Sequence, residues 1–234
     1  MSKILNIKEV DTKFKIYNKS QTHAEIVIYS QIGQSWFEEG ITANTFHAEL
    51  KELPESVKTI DVRINSPGGD VFDGITIYNR LKQHKAKVTV YVDGLAASIA
   101  SIIAMAGDEI IMSEGSLMMV HKPMTMAYGN SVELEEVIQR LDDVEEQLTN
   151  IYKRRTMKDR SEIKKMLAEE TWMSADEAVE MGFADRVMET EETLNIAACS
   201  NLPWMKNAPQ VDNSKAIKRQ LNKFKEDVEG FLAR

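Results

Sequence analysis

A strand-to-helix turn with a serine at its end is indicated by the segment Asp93-Gly-Leu-Ala-Ala-Ser98-Ile-Ala-Ser101. A β-rich run, Lys87–Val92, precedes it, and an apolar pattern of small residues predicts a helix over Ser98–Ala106. Small residues before Ser98 allow a tight turn, and the helix start offers N–H groups and partial positive charge to a developing oxyanion. Ser98 is therefore a candidate nucleophile, although a serine that only caps the helix fits this segment equally well.

A second strand-to-helix turn lies upstream, in Ile64-Asn-Ser-Pro-Gly-Gly69-Asp70. The run Lys58–Ile64 alternates apolar and polar residues as a strand does, and Asp70–Gln83 repeats its apolar residues with a helical period. The two glycines allow positive φ and leave bare amides for a ligand, whereas the Gly-Lys-Ser/Thr ending of a phosphate-binding loop is missing. The segment is either a structural turn or, beside the serine at the next strand end, one half of an oxyanion hole.

The third feature is His121, which follows an apolar strand in Leu117-Met-Met-Val-His-Lys-Pro123. The end of this strand is expected at the same sheet edge as the two turns. The imidazole is a candidate general base, because a histidine that is neutral at pH 7 can accept a serine proton. The other histidines lie in polar or helix-surface contexts and are interpreted as surface residues: His23, His47 and His84.

Strand-like and helix-like runs alternate from Glu25 to Val187, which is typical of βαβ units in an α/β fold. The remaining predicted elements are a strand at Glu25–Ser30, a helix at Thr42–Leu53, strands near Glu109–Met112 and Leu117–Val120, and a short helix that begins with the capping box Ser174-Ala-Asp-Glu177 and stops at Gly182.

A long helix is predicted over Ser131–Arg155, where apolar residues are spaced by threes and fours. Asn130 and Glu133 can cap its start, and the order of acidic residues first and basic residues last suits the helix dipole. The helix either packs on its own domain or serves as an assembly element. Its long, continuous apolar stripe favours assembly.

Composition excludes several classes of protein. The chain has 234 residues, 43% of them hydrophobic, which suits one soluble globular domain with an appendage. Its formal net charge of -8 argues against a nucleic-acid binder. It lacks a run of about 18 apolar residues for a membrane span and the apolar core of a signal peptide, so a cytoplasmic location is expected. The single cysteine, Cys199, predicts neither an internal disulfide nor a cysteine-based metal site.

Four blocks, in this order, resemble the Clp protease proteolytic subunit family: Ser66-Pro-Gly-Gly69, Gly94-Leu-Ala-Ala-Ser-Ile-Ala100, Met119-Val-His-Lys-Pro123 and Met173-Ser-Ala-Asp-Glu-Ala-Val-Glu-Met-Gly-Phe-Ala-Asp185. The similarity covers about residues 25–188. It implies an α/β protein with the Clp protease/crotonase-like fold of repeated ββα units. The long helix at Ser131–Arg155 corresponds to the protruding handle of that family.

The resemblance also implies a role for each candidate residue. Ser98 is the nucleophile and His121 the general base of a serine endopeptidase, and the backbone N–H groups of Gly69 and Ile99 form the oxyanion hole. The third triad member is an acid in the stretch Ala168-Glu-Glu-Thr-Trp-Met-Ser174, which is shorter here than in the family.

Glu170 falls at or near the position of the family's aspartate and is expected to orient His121, with Glu169 as the second choice. A glutamate reaches further than an aspartate, so it requires a different backbone distance to the imidazole. Asp176 and Asp185 belong to the following helix and its end, and both are expected to be structural.

The chain is expected to divide into a Clp-type serine peptidase domain over 1–188, a polar linker over 189–213 and an amphipathic helix over 214–234. The helix is expected to dock on a neighbour or stay partly mobile. Its apolar residues alternate spacings of four and three, as a coiled-coil seam does: Ile217, Leu221, Phe224, Val228 and Phe231.

The resemblance implies a ring-forming homo-oligomer that acts on polypeptides, with no cofactor, no metal, and neither a nucleic-acid nor a membrane partner. Asn6–Ile32 lacks the usual pattern of the pore loops that meet an unfoldase, and the residues after 188 are additional. Both features resemble phage and prophage proteases that mature a head, with a capsid or scaffold protein as partner. The alternatives are a subunit that works with an ATPase unfoldase, a crotonase-type acyl-CoA enzyme, and a non-catalytic scaffold.

Overall fold

The computed structural model describes residues 14–34 and 40–188. The predicted linker over 189–213 and the predicted helix over 214–234 lie outside the described residues. The strands are β1 (Phe14–Asn18), β2 (His23–Ile28), β3 (Thr59–Ser66), β4 (Lys87–Ala97), β5 (Glu109–Ser113), β6 (Leu117–Val120), β7 (Thr171–Ser174) and β8 (Arg186–Met188). The helices are α1 (Ala43–Lys51), α2 (Val71–Lys82), α3 (Ile99–Ala104), α4 (Ser131–Thr156), α5 (Arg160–Glu169) and α6 (Ala175–Glu180).

These strands form one sheet in the order β1-β2-β3-β4-β5-β8, with β6 beside the end of β4 and β7 beside β6. Neighbours from β2 to β8 run parallel, as does the β4–β6 pair. The β1–β2 and β6–β7 pairs are antiparallel. Because parallel strands need crossover helices, this order agrees with the βαβ pattern and the α/β class predicted from the sequence.

The central strand, β4, is longer than the predicted strand Lys87–Val92, and α3 is correspondingly shorter than the predicted helix Ser98–Ala106. The reason is a second ladder: residues 95–97 leave the β5 pairing and pair with β6 over Leu117–Met119. This switch of neighbours keeps the backbone extended as far as Ala97, immediately before the candidate nucleophile.

The core consists of the alternating apolar residues of the central strands and the helices packed on them. Every residue of α3 is buried, as its apolar, small-residue composition predicts. Four elements of the described chain were not predicted: β1, α5, β7 and β8. β1 pairs with β2 at the sheet edge. Half of the α5 residues are charged, and its narrow buried face is formed by Ile163, Met166 and Leu167.

The predicted long helix is α4, which begins with the predicted capping box of Asn130 and Glu133. Its second half is anchored in the core through Leu148, Ile151 and Tyr152. Its first half projects from the domain and leaves apolar side chains in solvent, since Val132 is 63% and Ile138 58% exposed. Among the helices within 14–34 and 40–188, none combines the length and hydropathy that a bilayer crossing requires.

Candidate active site

Ser98 lies at the junction of β4 and α3 in an unusual backbone conformation, with φ 55° and ψ -127°. A non-glycine residue with positive φ is strained, at a cost of about 1–3 kcal/mol, and such strain is maintained only where the surroundings hold it. The Ser98 side chain does not cap α3 within the described structure. Its Oγ instead lies 2.8 Å from Nε2 of His121. The interpretation of Ser98 as a simple helix cap is therefore wrong.

The strand register explains how two residues far apart in sequence meet. Ala97 of β4 pairs with Met119 of the parallel strand β6, and the Ser98 N–H donates to the Met119 carbonyl at 2.9 Å. His121 follows two residues after Met119. It is held from the other side as well, because the N–H of Lys122 donates to a carbonyl at the end of α5.

The electrostatic surroundings of His121 favour a neutral imidazole. Burial lowers its pKa below the ordinary value of 6.5, and the negative charge of Glu170 opposes this shift without cancelling it. A neutral ring is the form that can accept a proton from a serine at pH 7.

The structure brings Glu170, and not Glu169, to the imidazole. Glu170 ends α5 in the left-handed conformation, with φ 52°, and its Oε1 accepts a hydrogen bond from Nε1 of Trp172 at 3.2 Å. Glu169 points into solvent, with a side chain that is 61% exposed and lies 3.9 Å from Lys165. The turn to left-handed backbone at residue 170 thus separates the two neighbouring carboxylates.

The two aspartates that follow have the structural roles expected of them. The Asp185 carboxylate accepts the N–H of Ile110 at 2.7 Å and pairs with Arg155. Asp176 lies in the first turn of α6, where a negative charge suits the helix dipole, and it is exposed.

Gly69 and Ile99 belong to two turns that approach each other closely, since a Cβ atom on the neighbouring Gly68 would lie 3.2 Å from the Ile99 nitrogen. Gly69 forms an isolated parallel bridge with Ile32, in which the flanking Gly68 carbonyl and Asp70 N–H make the hydrogen bonds. The Gly69 N–H is therefore not used by the bridge and faces away from Ile32. The Ile99 N–H is the first of α3, one of the groups for which a helix has no internal partner.

Gly68 shows how closely the Pro-Gly-Gly turn approaches the serine. A Cβ atom at Gly68 would lie 2.7 Å from the Ala97 carbonyl oxygen and 2.8 Å from the Ser98 Cβ, and the φ of Gly68 is +92°. Both the left-handed backbone and the lack of space require glycine at this position. The two glycines in the sequence indicated that another group approaches this backbone closely, but they did not show that the group is the turn at Ala97 and Ser98.

Sequence reasoning missed two side chains beneath the serine. The Ser101 Oγ lies 2.5 Å from the Ser98 carbonyl oxygen and 2.8 Å from the hydroxyl of Tyr152 on α4. Ser101 lies one helical turn after Ser98, a spacing that could have predicted this contact. Tyr152 belongs to the apolar stripe of the long helix, and only the tertiary structure reveals its partner.

The other histidines make contacts elsewhere in the fold. His23 lies 2.9 Å from the hydroxyl of Thr59 at the start of β3, and His84 accepts the N–H of Ala86 at 3.1 Å after α2. His47 lies in the middle of α1. His121 is thus the histidine that the structure places at Ser98.

Comparison with known proteins gives a consistent result. The sequence model of the family described as "Clp protease" matches residues 8–191. The chain is similar to an "ATP-dependent Clp protease proteolytic subunit 1" of Protochlamydia amoebophila, with 33% identity over 147 residues, which are 61% of this chain and 71% of that protein. It is similar to an "ATP-dependent Clp protease proteolytic subunit" of Bacteroides thetaiotaomicron, with 34% identity over 63% of this chain and 69% of that protein.

A third protein with the same name, from Bacteroides fragilis, is 30% identical over 79% of this chain and 86% of its own length. The mixed sheet with its projecting helix fits the Clp protease/crotonase-like fold. Because the family match spans residues 8–191 and so contains the serine, the histidine and both glycine-rich turns, the chain belongs to the Clp protease family and is a Clp-type serine endopeptidase.

Proposed function

We propose that Ser98, His121 and Glu170 act as a catalytic triad that hydrolyses peptide bonds through an acyl-enzyme. The observation that carries this proposal is the 2.8 Å separation of Ser98 Oγ and His121 Nε2, at a serine whose backbone is held in a strained conformation. A nucleophile within hydrogen-bonding reach of a base is the geometry that general-base activation requires.

In the first half of the reaction, Ser98 Oγ attacks the substrate carbonyl carbon while His121 Nε2 takes the hydroxyl proton. The tetrahedral intermediate collapses when the carbon–nitrogen bond breaks, and the imidazolium gives its proton to the leaving amine. Water then enters and attacks the Ser98 ester carbon while His121 takes one of its protons. The carbon–Oγ bond breaks, the imidazolium gives this proton to Ser98 Oγ, and the acid leaves.

Glu170 stabilises the imidazolium that forms during this cycle. Its negative charge raises the pKa of His121 against the effect of burial. The hydrogen bond from Trp172 to Glu170 Oε1 holds the carboxylate in place. The carboxylate acts as a fixed charge and an orienting group, as the aspartate does in a serine protease triad.

The amide N–H groups of Gly69 and Ile99 supply the oxyanion hole. Their positions support this role, since one is directed away from the bridge to Ile32 and the other opens α3. Removal of one such donor typically lowers kcat by about 10²–10³-fold.

A fluorophosphonate probe tests the proposal. The probe is expected to label the wild-type chain at Ser98 and to leave Ser98→Ala unlabelled, and hydrolysis of a short fluorogenic peptide should disappear with the labelling. Ser116→Ala is the control for serine specificity: Ser116 is also buried but lies in the turn between β5 and β6, so this variant should be labelled like the wild type. Failure of the probe to label the wild-type chain would fit an acyl-CoA enzyme, and failure to cleave the peptide would fit a non-catalytic scaffold. Either failure would overturn the triad.

We propose further that the chain assembles into rings of identical subunits in the cytoplasm and receives polypeptides from an ATPase. The exposed apolar residues in the first half of α4, Val132 and Ile138, support an assembly role for that helix. The printed names of the relatives describe them as ATP-dependent and as subunits. These names favour an ATPase partner over the alternative setting of phage head maturation.

Head maturation is a second candidate because the chain continues, over residues 192–234, past the end of the family match. A capsid or scaffold protein is the partner in that case, with the predicted helix at 214–234 as the docking segment. The 234-residue chain and a version that ends at residue 213 can be compared on a short peptide and on a phage scaffold protein. If the shorter version still cleaves the peptide but no longer cleaves the scaffold protein, head maturation is supported. If both versions degrade polypeptides only with an ATPase, the ATPase-dependent setting is supported.

A further inference from the structure

The carbonyl oxygen of Ser98 is bound by a buried chain of hydroxyl groups. Ser101 Oγ lies 2.5 Å from this oxygen, and the Ser101 N–H donates to the same oxygen at 3.0 Å. The hydroxyl of Tyr152 lies 2.8 Å from Ser101 Oγ. Ser101 and Tyr152 are both buried.

The directions of these hydrogen bonds follow from the chemistry of the groups. A carbonyl oxygen can only accept, so the Ser101 hydroxyl donates its proton to the Ser98 carbonyl. The Ser101 Oγ is then left as the acceptor for Tyr152, whose hydroxyl must be the donor. Burial raises the pKa of Tyr152, which keeps this proton on the tyrosine. The chain therefore runs one way, from Tyr152 to Ser101 to Ser98.

The Ser98 carbonyl and the Ile99 N–H belong to the same planar peptide unit. A hydrogen bond at the carbonyl end fixes the orientation of this plane, and it also polarises the peptide so that the N–H becomes a stronger donor. The Ile99 N–H is one of the two groups assigned above to the oxyanion hole. The hydrogen bonds of Tyr152 and Ser101 at the carbonyl end therefore affect how well the Ile99 N–H can donate to an oxyanion.

We propose that Tyr152 and Ser101 are positioning residues that orient and polarise the Ile99 N–H for the transition state. The inference rests on the proposed function. The backbone at Ser98 is strained, with φ 55°, so the peptide unit keeps its orientation only if neighbouring groups hold it.

Tyr152 is well placed for such a role because it is itself firmly held. Its ring packs against that of Phe183 with centroids 5.6 Å apart, and its carbonyl accepts a hydrogen bond from Thr156 Oγ1 at 2.9 Å. It belongs to the core-anchored half of α4, so the support for Ser98 comes from a rigid helix rather than from a loop.

Tyr152→Phe and Ser101→Ala test the proposal, since each removes a hydroxyl and keeps the rest of the packing. For both variants we expect kcat on a fluorogenic peptide to fall by about tenfold with little change in KM, because one oxyanion donor is weakened but not lost. Affinity for a peptide boronate, which forms a tetrahedral adduct on the serine, should fall by a similar factor. Affinity for an uncleavable peptide of the same sequence should not change.

A double variant separates positioning from general destabilisation. If Tyr152 acts through Ser101, then Tyr152→Phe has no further effect on kcat in the Ser101→Ala background. Tyr29→Phe is the matched control: it removes a tyrosine hydrogen bond of 2.5 Å to Asp93, and it should lower thermal stability without lowering kcat.

The inference fails if the Tyr152→Phe protein keeps wild-type kcat, if both peptide ligands weaken equally, or if the two substitutions lower kcat additively. A failure of the proposed function gives a different result. If the triad is wrong, the wild-type chain itself does not react with the fluorophosphonate probe, and the positioning role is wrong as well.

Discussion

Glu170 lies across the β6–β7 ladder from His121, because Val120 pairs with Thr171 and the two strands run antiparallel. The ladder thus brings the carboxylate and the imidazole together one step beyond its last pair. Glu170 is near enough for its negative charge to raise the pKa of His121. The left-handed turn at Glu170, with φ 52°, ends α5 directly before β7 and leaves the longer glutamate side chain beside the histidine.

Replacement of Glu170 by Gln should remove a negative charge that raises the pKa of His121. The His121 pKa then falls further, so the acidic limb of the kcat/KM profile should move to lower pH. The value of kcat should fall by about 10²–10⁴-fold, because the imidazolium loses its counter-charge and its preferred tautomer. Glu169→Gln, one residue away in solvent, should leave both quantities unchanged. An unchanged profile in Glu170→Gln would remove this residue from the triad.

The pH dependence of the wild-type enzyme reports on His121. The base must be neutral to accept the serine proton, and burial lowers its pKa below 6.5. Activity is therefore lost as pH falls through this lowered pKa, and kcat/KM should rise with pH around a midpoint below 6.5. His84→Gln should keep the same midpoint, since His84 lies after α2 and contacts Ala86. A midpoint clearly above 6.5 contradicts the assignment.

Gly68→Ala should abolish activity through steric conflict at the serine. The new Cβ would lie within 3 Å of the Ala97 carbonyl oxygen and the Ser98 Cβ. Either the backbone or the Ser98 side chain would therefore have to move. We expect a loss of kcat/KM of at least about a hundredfold, the effect of misplacing a reacting group by roughly 1 Å.

Gly115→Ala is a matched control, because Gly115 also has positive φ, +78°, but a Cβ there meets nothing within 4 Å. It should cost about 1 kcal/mol of folding free energy and leave kcat intact. Equal activity losses in the two variants, measured on folded protein, would mean that strain rather than contact with Ser98 is responsible.

Asp93 should contribute strongly to stability, because it is a buried charge with fixed partners. It is 4% exposed, Nε and Nη2 of Arg63 bond to its two oxygens at 2.8 and 2.5 Å, and the Tyr29 hydroxyl also donates to it. Asp93→Ala leaves the guanidinium without its counter-charge and should lower the free energy of unfolding by about 3 kcal/mol.

The comparison variant for Asp93 is Asp61→Ala. Asp61 lies two strand positions before Arg63 and pairs with His23 at 3.4 Å near the surface. Loss of such a pair should cost less than about 1 kcal/mol. Denaturant unfolding measures both, and similar losses in the two variants would contradict a special role for the buried pair.

Ile138→Glu should weaken assembly without harming the fold of the subunit. Ile138 is 58% exposed on the projecting half of α4, so the domain does not need its apolar side chain. Sedimentation should show smaller species for this variant than for the wild type or for Glu136→Gln, a control on the same helix. An unchanged sedimentation profile would show that the interface lies elsewhere.

Local sequence was enough to predict the elements that carry strong patterns. The alternation in β3, the apolar composition of α3 and the capping box at Asn130 each specify a local structure through short-range physics. The half-charged α5 and the edge strand β1 could not be predicted in this way, because the few residues that they bury or half-bury are defined by the neighbours that they contact.

Local patterns were also enough to identify the kinds of residue at the site: a serine at a strand-to-helix turn, a Pro-Gly-Gly turn before it, a histidine at a strand end and an acidic pair at residues 169 and 170. Which of these residues come into contact depends on the three-dimensional fold. The switch of β4 from β5 to β6 sets the distance from Ser98 to His121, and the antiparallel β6–β7 pairing selects Glu170 over Glu169. Strand register and helix packing depend on contacts between residues far apart in the chain, and no local pattern contains that information.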